Sequence, residues 1–129
     1  MKYDELVLFI PIYGGEFTIV VTDDLEKLTS NYEISPGGKI FGHSFFLQYK
    51  DRQVFLIVLN PYGTIRISHG VITHEAVHIA NMIFQERGIK PDLDNDEPYA
   101  YLVESIVTEV YQFLKTLDKI KISLTKGWK

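Results

Sequence analysis

The spacing of hydrophobic residues changes character midway along this chain. The first half carries short, β-branched and aromatic runs. Leu6–Ile12 and Phe17–Val21 flank Tyr13-Gly14-Gly15-Glu16, which predicts two strands joined by a hairpin turn. Asp23–Leu28 has the acids and spacing of a short helix entry, and Ser35–Gly38 reads as a turn. A further strand is expected within Lys39–Tyr49, marked by Phe41, Phe45 and Leu47. Gln53–Leu59 is the clearest strand, ended by Asn60-Pro61-Tyr62-Gly63, and the short run Thr64–Ile67 leads into a change of period.

Beyond that point the pattern is helical. Val71–Phe84 is apolar on both flanks, with a narrow polar line of His74, His78, Asn81 and Gln85. A second helix is predicted over Glu97–Leu117, where Ala100, Val103, Val107, Val110, Leu114 and Leu117 form an apolar stripe. Beside it runs another polar line: Glu97, Tyr101, Glu104, Thr108 and Tyr111. Polar groups on a mostly apolar helix need partners, because burying them alone is costly. Two antiparallel helices could bring the lines together.

The chemistry concentrates in His74-Glu75-Ala76-Val77-His78. Histidines four apart on a helix stand one turn above each other, so both imidazoles can reach one metal ion. Glu75 lies on an adjacent face, suited to act as a base toward water rather than as a ligand. A carboxylate from the second helix would complete the set, and spacing leaves Glu97 and Glu104 both open. Simple mirrored helices favour Glu104. An extended return through Gly88–Asp96 favours Glu97.

Together these residues resemble zincin-type metallopeptidases of the glutamate-ligand branch, in which H-E-x-x-H is followed by a helix bearing E-x-x-A-D or E-x-x-A-N. Glu97-Pro98-Tyr99-Ala100-Tyr101 matches the Glu and the Ala, with Tyr101 in place of the Asp or Asn that commonly orients a histidine. The run Asn95–Leu102 is also similar to small zincin-like proteins of bacteriophage genomes. The resemblance spans roughly residues 68 to 110. It implies Zn2+ on His74, His78 and Glu97, Glu75 as general base, and a peptide or protein substrate. Tyr101, Tyr99, Tyr62 and His69 are candidate donors to a developing oxyanion. The implied fold class is α+β, a small, mainly antiparallel N-terminal sheet followed by two packed helices carrying the metal site, with residues 1–129 as a single zincin-like domain. The competing reading is a zincin-shaped module with weak or no turnover that works by binding another protein.

Composition narrows this only a little. At 46% hydrophobic and 23% charged residues the chain has the profile of a globular domain. The formal charge of −4 disfavours nucleic acid as a partner. Without cysteine, only His and carboxylates remain as strong ligands, and the chain suits a reducing compartment. The apolar run Leu6–Tyr13 is too short to span a membrane and contains Pro11, so no membrane partner and a cytoplasmic location are expected. Asp92, Asp94 and Asp96 have the first spacings of a calcium loop but lack its glycine and its closing Glu. They read as an acidic helix entry. His43 is isolated and reads as packing.

Overall fold

A computed structural model describes residues 2–34, 41–61, 66–117 and 121–123. The elements run β1 (Tyr3–Phe9), β2 (Glu16–Thr22), α1 (Leu25–Tyr32), β3 (Gly42–Gln48), β4 (Gln53–Leu59), β5 (Arg66–Ser68), α2 (His69–Glu86), α3 (Glu97–Lys115) and β6 (Lys121–Ser123). The fold is α+β, with a four-stranded sheet followed by a pair of packed helices. The expected turn at 35–38 lies outside the described residues.

The strand order is β1-β2-β4-β3. β1 pairs antiparallel with β2, and β3 pairs antiparallel with β4. The central pair, β2 with β4, is parallel. A parallel pair cannot be closed by a hairpin, so the chain must leave the sheet between β2 and β4. It does so through α1, re-enters at the far edge as β3 and turns back as β4.

That excursion puts helices on both faces of the sheet and explains the unbroken apolar runs in the central strands. Phe55, Ile57 and Leu59 of β4 join Ile19 and Val21 of β2 beneath α2 and α3. Val54, Leu56, Val58 and Val20 face the other way, onto Leu28 and Tyr32 of α1 and the following Ile34. A strand buried on both faces has no reason to alternate. Strand β3 obeys the same two-residue period. Ser44 and Phe46 turn toward α2, while Phe45 and Leu47 turn toward the α1 side.

Local signals set the helix ends. Asp24 caps α1 by accepting the Lys27 amide at 3.1 Å, and Ser68 caps α2 by accepting the Val71 amide at 3.2 Å. Pro98 sits in the first turn of α3, where its missing N–H costs nothing. α3 packs antiparallel on α2, which itself lies over β3 and β4. No helix among the described residues is long and apolar enough to cross a membrane.

One expectation about α3 needs correction. The buried line is Leu102, Ile106, Val110 and Leu114, whereas Val103 and Val107 are half-buried and Ala100 is exposed. Two apolar stripes overlap on this helix. Leu102 and Ile106 carry more apolar area than Ala100 and Val103, so burying them is worth more, and the helix turns accordingly. Glu97, Tyr101, Glu104 and Thr108 consequently face solvent.

Candidate metal site

His74 and His78 stand on the exposed face of α2, one turn apart. Their Nε2 atoms are 3.1 Å from each other and the rings meet edge to face, with centroids 4.7 Å apart. At that distance one imidazole donates to the other, and the tautomers decide which. The spacing of the two nitrogens matches that of two ligands on one metal. Two nitrogens bound tetrahedrally to zinc at the usual bond length are separated by roughly 3.3 Å. The separation alone would let both act as ligands once their ring nitrogens turn toward a common point.

Glu75 is placed differently from its neighbours. It is buried, at 7% exposure, and turns toward β3. The Ser44 hydroxyl lies 2.7 Å from its Oε1 and 3.2 Å from its backbone carbonyl oxygen. Its other oxygen, Oε2, stays 3.9 Å from His74 Nε2. One carboxylate oxygen is thus held by the sheet while the second lies near His74. Gly42 makes this approach feasible. A Cβ there would lie 2.7 Å from Val71 Cγ1 and 2.9 Å from Glu75 Cγ, closer than real carbon contacts allow.

Neither Ser44 nor Gly42 stands out in the sequence, because Ser44 and Glu75 are 31 positions apart. One signal does exist. Gly42 and Ser44 are small residues on alternate positions of an otherwise aromatic strand, which marks a close approach to something packed on that face.

The helix register can be read from its tyrosines. The Tyr99 hydroxyl lies 2.8 Å from Asn81 Oδ1 and 3.4 Å from the Val77 carbonyl oxygen, and its ring packs edge-on against Phe84. At the other end, the Tyr111 hydroxyl meets His69 Nδ1 at 2.5 Å. By this register Glu104 stands level with the turn between His74 and His78. Glu97 stands level with Ile83, roughly 10 Å further along the helix axis. Glu97 lines a separate cleft beside β1, together with Tyr101. Among the described residues, no group of three His, Cys, Asp or Glu side chains is assembled for a metal.

The remaining candidates divide as follows. Tyr99 borders the polar line of α2, and burial pushes its phenol above the ordinary value, so it stays protonated and able to donate. Tyr101 is 63% exposed on the β1 side of α3. His69 is engaged by Tyr111, and its Nε2 has no hydrogen-bond partner among the described residues. Tyr62 lies outside the described residues. His43 stacks on Phe45 with ring centroids 4.2 Å apart. The acidic run before α3 folds as a turn, in which Asp92 accepts the Asp94 amide.

No family model matches this chain, and neither a curated protein nor a solved structure matches it.

Proposed function

We propose that this chain is a zinc-dependent hydrolase, most simply a peptidase acting on a peptide or protein, with Glu75 as its general base. The observation that carries the reading is the paired imidazole nitrogens, 3.1 Å apart at the surface, with a buried carboxylate fixed beside them. Ordinary surface histidines have no need of a carboxylate anchored from the opposite layer of the fold.

His74 and His78 would hold the metal. The third ligand we assign to Glu97 on the motif it shares with glutamate-ligand zincins, which requires the first turn of α3 to approach the histidines. Glu104, already level with them, is the rival. Bound zinc supplies a Lewis acid that acidifies water and polarises a carbonyl. The chain's own part is proton handling. Glu75 Oε2 takes a proton from the attacking water and returns it to the leaving amine, while Ser44 keeps Oε1 occupied and the carboxylate aimed. Tyr101 fills the expected oxyanion role only if a substrate spans both sides of α3. We favour Tyr99, whose hydroxyl rests on Asn81 one turn beyond His78. The absence of cysteine suits a cytoplasmic setting.

The test is Glu75→Gln, assayed for bound zinc and for cleavage of a quenched fluorescent peptide library. The expected result is retained zinc with cleavage reduced by about a hundredfold or more. A second reading, a binding module without turnover, draws on the lack of a third ligand beside the histidines among the described residues. It gains if wild-type protein loaded with zinc cleaves nothing.

A further inference from the structure

The surface where α3 overlooks the end of β1 lies apart from His74 and His78. A cleft of about 680 Å3 opens there, lined by Leu8, Phe9 and Ile12 on one side and Tyr101, Leu102 and Ile106 on the other. Phe9 is 85% exposed and Ile12 is 98% exposed. Leaving such side chains in water gains nothing for folding.

The turn that displays them is also strained. Ile12 has φ 71°, a left-handed conformation that a β-branched residue avoids. The turn is nevertheless tied down. Arg87, at the end of α2, donates through Nε to the Tyr13 carbonyl at 2.5 Å and through a terminal nitrogen to the Gly14 carbonyl at 3.1 Å. Hydrogen bonds from the Gly14 amide to the Ile10 carbonyl and from the Ile10 amide to the Gly15 carbonyl, both 3.0 Å, close it from within. A strained, rigidly held and fully exposed apolar tip is preorganised for contact, because little ordering remains to be done on binding.

The charge of the cleft says what kind of partner fits. Glu97 and Glu109 line it, with no lysine or arginine among the described lining residues. Asp92, Asp94 and Asp96 stand exposed on the approach to α3. The wall from Glu97 to Glu109 is roughly 18 Å long, the length of about three helical turns.

We infer that this cleft docks an amphipathic helix from another protein, with an apolar face for Phe9, Ile12 and Tyr101 and basic residues at its edges. Apolar walls on two sides suit anchors at i, i+3 or i+4 and i+7, and the acidic rim pairs with lysine or arginine flanking them. Neither His74 nor His78 lines the cleft, so the inference does not need a metal there; the two readings meet only at Glu97, which the docked helix would engage as rim charge and zinc would draw away as a ligand.

Fluorescence anisotropy with labelled peptides about 14 residues long tests it on the full chain. One probe combines leucine and lysine in a helical amphipathic pattern, a second keeps the pattern with glutamate for lysine, and a third alternates leucine and lysine as a strand would. The first should bind, and the second should bind about tenfold or more weakly. Phe9→Asp with Ile12→Asp should weaken the first probe by about tenfold or more, with an unchanged unfolding midpoint showing that the fold survives. Glu109→Lys should narrow or invert the preference for lysine over glutamate. Equal binding by wild type and the Phe9→Asp, Ile12→Asp variant overturns the inference, as does preference for the alternating probe or no binding at millimolar peptide.

Discussion

Gly42→Ala isolates the contact between the edge strand and the motif helix. The added methyl would meet Val71 Cγ1 at 2.7 Å and Glu75 Cγ at 2.9 Å. Both are side-chain carbons wedged between β3 and α2, so relief requires the strand to move away or Glu75 to change rotamer. Overpacking of this kind typically costs about 1–3 kcal/mol. Against it stands the entropy gained by restricting the unfolded chain, about 0.4–1 kcal/mol for Gly to Ala. The net expectation is a loss of about 1–2 kcal/mol, which shifts the urea midpoint by roughly 1 M. Gly70→Ala is the matched control. It lies in the first turn of α2, where the nearest atom to an added Cβ is Ser68 Oγ at 3.9 Å. There the substitution meets no obstacle and should be neutral or stabilise by up to about 1 kcal/mol. Equilibrium urea unfolding of the three proteins decides the matter. A Gly42→Ala midpoint equal to wild type or above it refutes the packing argument.

Two further outcomes follow from the same contacts. Ser44→Ala should lower kcat for peptide cleavage by about tenfold while leaving KM near wild type, since the hydroxyl positions the base and touches no substrate; Ser44→Thr, which keeps the hydroxyl, should recover part of the loss. At the start of the two central strands, Arg52 grips Glu16 through two hydrogen bonds of 2.8 and 3.0 Å and holds that carboxyl below its ordinary value. A lowered carboxylate contributes stability above its unfolded pKa and loses it as pH falls through the folded one. Glu16→Gln should therefore cost about 0.5–1 kcal/mol at pH 7, and the difference from wild type should vanish in unfolding curves recorded well below pH 4.

What the sequence made legible followed from locality. β4 is a single apolar run bounded by Arg52 and Asn60, and its ends are where the pattern puts them. The start of α3 at Glu97 is announced by Asp96 and Pro98, and the histidine pair is a spacing written directly into one helix. Features made by distant contacts were not legible. Nothing local distinguishes the parallel pairing of β2 with β4 from a meander, and nothing marks Ser44 as the partner of Glu75. The rotation of α3 depended on competition between two stripes sharing Val110 and Leu114, decided only when the helix packed on α2. That rotation is what turns Glu97 and Tyr101 toward the β1 cleft instead of the histidines.

Zinc stoichiometry bears most directly on the proposed metal centre. Wild-type protein, His74→Ala, His78→Ala, Glu97→Ala and Glu104→Ala would each be dialysed against zinc at micromolar concentration, and bound metal counted per chain. The prediction is one zinc in wild type, none in either histidine variant, and a far greater loss in Glu97→Ala than in Glu104→Ala. Greater loss in Glu104→Ala would move the third ligand to the residue level with the histidines. Wild-type protein that stays metal-free, or histidine variants that keep their zinc, would contradict the site itself.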